Sequence, residues 1–300
     1  MAIPSGSDVS LVRTSLGDVR YRDTGGSGEP ILLIHSLLLD PDLYSGVVPR
    51  LVAAGHRCVL PELPLGGHAI ALLEDADHSP DGLVRIIVDV LDHARIDRAS
   101  VVGVDTGGAL AQLLMAHHRE RVDKVVLTAC DAYEDFPPRS ALGRLLTPAF
   151  HRRTIRLTAR ATRSRWGRRA LVPRAVTHRG VDDALLVQWT RGLRDPEIRR
   201  DLQLAFSAMH SRYTLEAAEL NKTFPGQVLI AWGDDDRLFK RRLALRLEQD
   251  LPHARLVVLA DCAAFAAIDQ PERLADLIVE HLTTSAASGQ PSAGSSSTSP

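Results

Sequence analysis

Gly103-Val104-Asp105-Thr106-Gly107-Gly108 is the stretch whose reading decides the fold. It follows an apolar run at 99–102 and precedes a helical run at 109–117. A side chain displayed at the tip of a sharp strand-to-helix turn sits on a strained backbone. Its neighbours two before, two after and three after must therefore be small. Gly103, Gly107 and Gly108 meet that demand, and the displayed group is the Asp105 carboxyl. The glycines lack the G-x-G-x-x-G spacing of a dinucleotide site.

Outward from this elbow the chain alternates. Residues 9–14 and 19–23 read as a hairpin turned at Leu16-Gly17-Asp18. Residues 30–34 form a continuous apolar strand, as expected for one buried on both faces. Asp40-Pro41 opens a predicted helix through Ala54, and residues 56–60 are the next strand. Ser79-Pro80 is an N-cap with proline behind it, and Leu83, Ile86, Ile87, Val90 and Leu91 give that helix one buried face. Strands follow at 122–128, 227–231 and 255–259, with helices at 240–249 and 271–282. Such alternation implies an α/β protein with a mostly parallel central sheet and helices on both faces. Residues 131–220 interrupt it with helical periodicity, scattered prolines and no strong strand, which predicts a helical cap insertion over the carboxyl edge of the sheet. The expected division is a core at 1–130 and 221–282, the cap at 131–220, and a disordered tail at 283–300, uncharged and rich in Ser, Gly, Thr, Ala and Pro.

A chain of 300 residues with a net charge of −1 is long enough for this plan and, as a whole, is no polyanion binder. Cys58, Cys130 and Cys262 lie in or beside apolar runs without metal-ligand spacing, so buried free thiols and a reducing cytoplasm are expected. The first ten residues have neither a basic nor an apolar leader region, and no apolar run approaches membrane-spanning length. Asp234-Asp235-Asp236 reads as a turn, because three adjacent carboxylates cannot all converge on an ion. No metal or cofactor is expected. Between Arg139 and Arg179 stand twelve arginines and not one Asp or Glu. One reading is a solvated basic face; the other is a patch that steers an anionic substrate, a carrier protein or a membrane surface. Nucleic acid is disfavoured, since Trp166 and Phe150 are the only large stacking aromatics there.

The elbow, the strand order and the insertion resemble the α/β-hydrolase superfamily, most closely the haloalkane dehalogenase and epoxide hydrolase branch, whose elbow nucleophile is also Asp. The chain is also similar to bacterial proteins with an Asp-Thr-Gly-Gly elbow and a Leu-Pro-Leu-Gly-x-His segment, here Leu63-Pro64-Leu65-Gly66-Gly67-His68. By the resemblance Asp105 is the nucleophile. The amides of Leu37 and Thr106 form the oxyanion hole, the first of them in the loop His35-Ser36-Leu37. Asp236, in Trp232-Gly233-Asp234-Asp235-Asp236, is the triad acid; Asp131 is where some dehalogenases carry that acid instead.

The departures matter as much. The family's Gly-His-Phe aligns with Ala263-Ala264-Phe265, in a frame fixed by Asp269-Gln270-Pro271 downstream, and no histidine lies between His253 and His281. The dehalogenase Trp after the nucleophile is Thr106, and the Asn of its oxyanion loop is Leu37. Tyr133 and Tyr213 are the only cap tyrosines. A carboxylate that displaces a leaving group forms an ester, and a His–carboxylate pair normally activates the water that cleaves it. Three expectations follow. His35 or His68, on loops at the same sheet edge, replaces the missing base. Or Asp105, with its pKa raised by burial, performs acid–base chemistry such as elimination, isomerisation or cyclisation. Or the fold binds a ligand without turnover. The expected substrate is a small apolar or amphiphilic molecule, with an alkyl halide, epoxide or ester-like bond as the family default. Trp189 is placed as the cap residue facing it, alongside Asp131 and Phe265.

Overall fold

The computed structural model describes residues 8–151, 153–172 and 175–284. Eight strands form one sheet: β1 (Asp8–Thr14), β2 (Gly17–Asp23), β3 (Pro30–Ile34), β4 (Arg57–Pro61), β5 (Ala99–Asp105), β6 (Val122–Cys130), β7 (Val228–Gly233) and β8 (Ala254–Leu259). Their order across the sheet is β1-β2-β4-β3-β5-β6-β7-β8. The pairs β1–β2 and β2–β4 are antiparallel, and every other pair is parallel. Parallel neighbours need crossovers, and α1 (Val48–Ala53), α2 (Pro80–His93) and α3 (Thr106–His117) supply them in the first half. Between β6 and β7 lie α4 (Ala141–Leu146), α5 (Ile155–Ala161), α6 (Arg165–Leu171), α7 (Asp183–Arg191), α8 (Pro196–Ala208) and α9 (Ser211–Asn221). The chain closes with α10 (Arg241–Asp250), α11 (Ala266–Asp269) and α12 (Pro271–Thr283). This is the expected α/β-hydrolase architecture.

The central strands are apolar because both faces are covered. Ile31, Leu32, Val101, Val102, Val125, Leu127, Leu229 and Ile230 are all buried, each worth about 1.5–3 kcal/mol of transfer free energy. Helix α2 starts as its sequence dictates, with Ser79 Oγ accepting from the Gly82 amide at 3.2 Å.

Three readings change. The predicted helix at 40–54 is two pieces, a 3₁₀ turn at Pro41–Tyr44 and then α1. Pro49 has no amide to continue the first helix, so α1 restarts with that proline in its opening turn. In the predicted insertion, α9 packs against α3, with Asn221 Nδ2 donating to the Gln112 carbonyl at 2.9 Å. Of the predicted tail, Thr283 closes α12, and residues 285–300 lie outside the described ones.

The elbow is built as the glycines require. Asp105 has φ 53° and ψ −124°, a left-handed backbone that side chains rarely adopt. A register shift between Val104 and Asp105 re-aims the carboxyl out of the sheet. Helix α3 then starts directly against the end of β3. A Cβ on Gly107 would overlap the Ile34 carbonyl oxygen and lie 2.6 Å from that of His35. Gly107→Ala is expected to destabilise the chain by about 1–3 kcal/mol through overpacking. The check is a lower urea midpoint at an unchanged m value.

Candidate active site

The elbow opens into a cavity of about 80 Å³ between the sheet edge and α4, α6 and α8. Leu37, Leu38, Leu39, Leu146, Phe150, Leu171, Val172, Phe206, Met209, Leu238 and Phe265 line it, and its polar groups are Asp105, Thr106 and Thr147. A cavity so small and so apolar suits a small, mostly apolar ligand. Of the expected pocket residues, Phe265 lines it while Asp131 and Trp189 do not; Leu37 and Thr106, expected at the oxyanion hole, line it as well.

Three carboxyl groups gather at the carboxyl ends of adjacent strands. Asp105 ends β5, Asp131 follows β6 and Asp236 follows β7. Burial pushes Asp105 above the ordinary carboxylate range, tempered by Ser36, Thr106 and Asp131. Thr106 Oγ1 donates to Asp105 Oδ1 at 3.3 Å. The Ser36 hydroxyl, buried beside the elbow, has no well-formed hydrogen bond among the described residues. Asp131 is fully buried, and its amide donates to the Asp105 carbonyl at 3.4 Å. Neither oxygen of its carboxylate meets a donor among the described residues. Burial, then the Asp105 charge, then Asp135 hold its pKa well above the usual range. Asp105 and Asp131 therefore each disfavour the other's ionisation, because like charges in a low dielectric repel. Asp236 Oδ1 accepts from the amides of Leu238 and Phe239 at 2.8 and 2.9 Å, while Oδ2 is buried without a partner. Burial, aided by the Asp105 charge, carries its pKa up to about 7 against those two hydrogen bonds.

The two histidines expected as substitute bases are not brought to Asp105. His35 Nδ1 donates to the Ser36 carbonyl at 2.9 Å, and Nε2 accepts from the Leu63 amide at 2.9 Å. Both nitrogens are spent on backbone, and burial lowers the pKa to about 4, so this is a neutral imidazole pinning the loop before Leu37. His68 Nδ1 accepts from the Gly66 amide at 3.1 Å, and Nε2 meets Asp201 Oδ2 of α8 at 3.2 Å. His78 Nε2 meets Asp201 Oδ1 at 3.0 Å. Burial alone would push Asp201 up. Its bonds to His68, His78 and the Leu72 amide overcome that and hold it well below the usual range. His68 is thus one clamp of a buried tie between α8 and the segment that follows β4. No histidine lines the cavity among the described residues.

Ala264 is fully buried. Its loop is fixed by Asp269. Oδ2 of that residue accepts from the Ala263 amide at 3.0 Å, and Oδ1 accepts from Thr177 Oγ1 at 2.5 Å and the Arg179 amide at 3.0 Å. Leu37 presents an amide with no acceptor among the described residues, while those of Leu38 and Leu39 are bonded to Leu65 and Ser36. Together with the Thr106 amide, which tempers the Asp105 pKa, it suits an oxyanion position.

Trp189 does not face the ligand. It is buried, and its Nε1 donates to Asp40 Oδ1 at 3.0 Å. Gln188 Nε2 reaches Asp40 Oδ2 at 2.8 Å, and also Asp42, which pairs with Arg22. Tyr133 donates to Asp250 at 2.9 Å, and Tyr213 accepts from Arg212 at 2.8 Å; neither lines the cavity. Sequence reasoning missed Asp40, Asp201, His78 and Ser36, whose partners or neighbours lie far along the chain and leave no local pattern. Among the described residues no group of three or more His, Cys, Asp or Glu is arranged to hold a metal ion. All three cysteines are free and buried.

Comparison with known proteins agrees with this geometry. The chain is 27% identical over 288 residues to a 2-hydroxymuconate semialdehyde hydrolase of Pseudomonas sp. (strain CF600), covering 90% of each chain. It is 28% identical over 276 residues to haloalkane dehalogenase 2 of Mycobacterium tuberculosis, covering 89% of this chain and 92% of that one. A meta-cleavage product hydrolase from Pseudomonas fluorescens IP01 superposes with a TM-score of 0.72 at 23% identity, over 91% of this chain and 97% of that one. A putative lipase from Acinetobacter baumannii does so with a TM-score of 0.76 at 18% identity, over 92% and 91%. The family described as alpha/beta hydrolase fold matches residues 29–271, and with the elbow, the sheet order and the free Leu37 amide in place, the chain belongs to it.

Proposed function

We propose that this family member hydrolyses a small, mostly apolar molecule by nucleophilic attack from Asp105, with a carboxylate in place of imidazole as the base of the second step. The observation that carries the reading is a carboxyl on a strained elbow, aimed into an apolar cavity beside the unbonded Leu37 amide. An Asp105 oxygen attacks an electrophilic carbon of an alkyl halide, epoxide or ester-like substrate. The bond to the leaving group breaks and its electron pair goes to that group. It departs as halide, or as carboxylate from the alkyl carbon of an ester; in an epoxide it stays attached as an alkoxide that takes a proton from water. Water then attacks the carbonyl carbon of the Asp105 ester, giving its proton to Asp236 Oδ2. The amides of Leu37 and Thr106 receive the developing negative charge, and the collapsing intermediate releases an alcohol, which takes the proton back. A base with its pKa near 7 is well matched to this transfer at neutral pH. Both similar curated proteins above carry names of hydrolases, one of them a haloalkane dehalogenase.

One observation favours a second reading. Burial raises both Asp105 and Asp131, with like-charge repulsion adding to it at Asp131, and two such carboxyls suit acid–base chemistry such as elimination, isomerisation or ring closure without an ester. A non-catalytic ligand-binding role is the third outcome.

Mass spectrometry after incubation with reactive halides and epoxides separates them. Hydrolysis predicts an ester adduct on Asp105, and turnover that falls about 10⁴-fold in Asp105→Asn. Turnover that survives this substitution removes the assignment. Turnover without an adduct, but still dependent on Asp105, selects the acid–base reading; binding without either selects the ligand-binding one. Asp236→Asn is expected to slow ester cleavage about 10²–10⁴-fold and make the adduct accumulate. Ala264→His, which restores an imidazole beside the carboxyls, is expected to shorten the adduct's lifetime in single-turnover measurements.

The Asp131 environment makes a separate prediction about stability. Its folded pKa lies above its unfolded one, so the folded state binds more protons over that window and stability falls as pH rises through it. Asp131→Asn removes this loss. Its urea midpoint is expected to exceed that of the parent at pH 8 and to approach it at pH 4.

A further inference from the structure

Cap helix α5 has two unlike faces. Ile155 and Ala159 are buried against Leu38, Leu193 and Leu202. Arg156 and Arg160, one turn apart, point outward and are exposed. Two grooves run between this helix and α8 with the turn before it, sharing Arg156 and Arg199. Arg153, Arg156, Arg160, Arg163, Arg194 and Arg199 line them, and no Asp or Glu does. Of the described arginines between Arg139 and Arg179, Arg168 alone is in an ion pair, with Asp183. So much positive charge without a counter-charge calls for an anion from outside the chain.

A second observation says which kind. The same cap helices expose large apolar side chains: Leu145 on α4 is 74% exposed, Leu157 on α5 67% and Trp166 on α6 82%. Leu204 of α8, 42% exposed, sits in the groove itself. Arginines interleaved with Leu and Trp are the chemistry of a surface that lies in a lipid headgroup region. Guanidinium groups meet phosphates there, while indole and leucine enter the acyl boundary. A nucleic acid would want a series of stacking aromatics, and this face has one.

We propose that the outer face of α4, α5 and α6 docks on an anionic phospholipid bilayer, with Arg156, Arg160 and Arg163 on headgroup phosphates and Trp166 and Leu157 in the interface. No described helix is long and apolar enough to cross a membrane, so the contact is peripheral. Leu146 of α4 and Leu171 of α6 line the cavity around Asp105, which puts a substrate dissolved in the bilayer close to its entrance. That last consequence rests on the proposed function; the docking itself does not.

The test uses the full chain with vesicles of phosphatidylcholine, alone or mixed with phosphatidylglycerol. Trp189 and Trp232 are fully buried, so a change in tryptophan emission on binding reports Trp166. The expected result is sedimentation with the mixed vesicles, weakened by salt, with a blue shift and quenching by brominated lipid. The doubly reversed Arg156→Glu, Arg160→Glu variant is expected to bind about tenfold more weakly or worse, while its circular dichroism stays native. Trp166→Ala is expected to lose the blue shift and keep part of the affinity. Equal sedimentation with both vesicle types, no sedimentation, or undiminished binding by the charge-reversed variant overturns the proposal. So does binding to soluble glycerol phosphate or to an acidic protein without binding to vesicles. Because the readout is independent of turnover, a failure here and a failure of the Asp105 mechanism are told apart.

Discussion

A left-handed backbone at one aspartate sets the geometry on which the rest of the site depends. Asp105 can hold that conformation because α3 begins hard against β3, with no side chain at Gly107 to push it away. The close seating turns the carboxyl out of the sheet and leaves the Thr106 amide facing it. Strain and desolvation are both stored at one residue, and the buried strands around it supply the stability that offsets them.

The electrostatics follow from that placement. Three carboxyls at the ends of neighbouring strands, in a low dielectric, all have their ionisation disfavoured by burial, and the Asp105 charge adds to that at Asp131 and Asp236. His35 contributes at one remove. As a neutral ring with both nitrogens committed to backbone, it fixes the loop that presents the Leu37 amide.

Buried polar ties seat α7 and α8. Asp201 of α8 binds two core-side histidines, His68 and His78, and Trp189 and Gln188 of α7 bind Asp40. Such pairs demand particular geometry, which an apolar contact alone would not, so they fix how far the cap helices stand from the elbow and how small the cavity is. The outer face is under no such constraint, and there the unpaired arginines collect.

The strands, the crossover helices and the elbow were legible because they rest on local rules. Continuous apolar runs mark strands covered on both faces, Ser79-Pro80 starts a helix, and small residues flank a strained turn. That no histidine lies between His253 and His281 was equally plain, since it is read letter by letter. The roles of His35, His68 and Trp189 were not. A buried imidazole that staples backbone and one that accepts a catalytic proton are the same letter, and what separates them is a partner such as Asp201, distant in sequence. The sequence by itself determined the sheet, the elbow and the identity of its side chain, because period, propensity and backbone sterics act over a few residues. Only the tertiary structure decided which carboxyls are raised by burial beside one another and which histidines are already spent, because burial and pairing are properties of neighbours that the chain brings together from far apart.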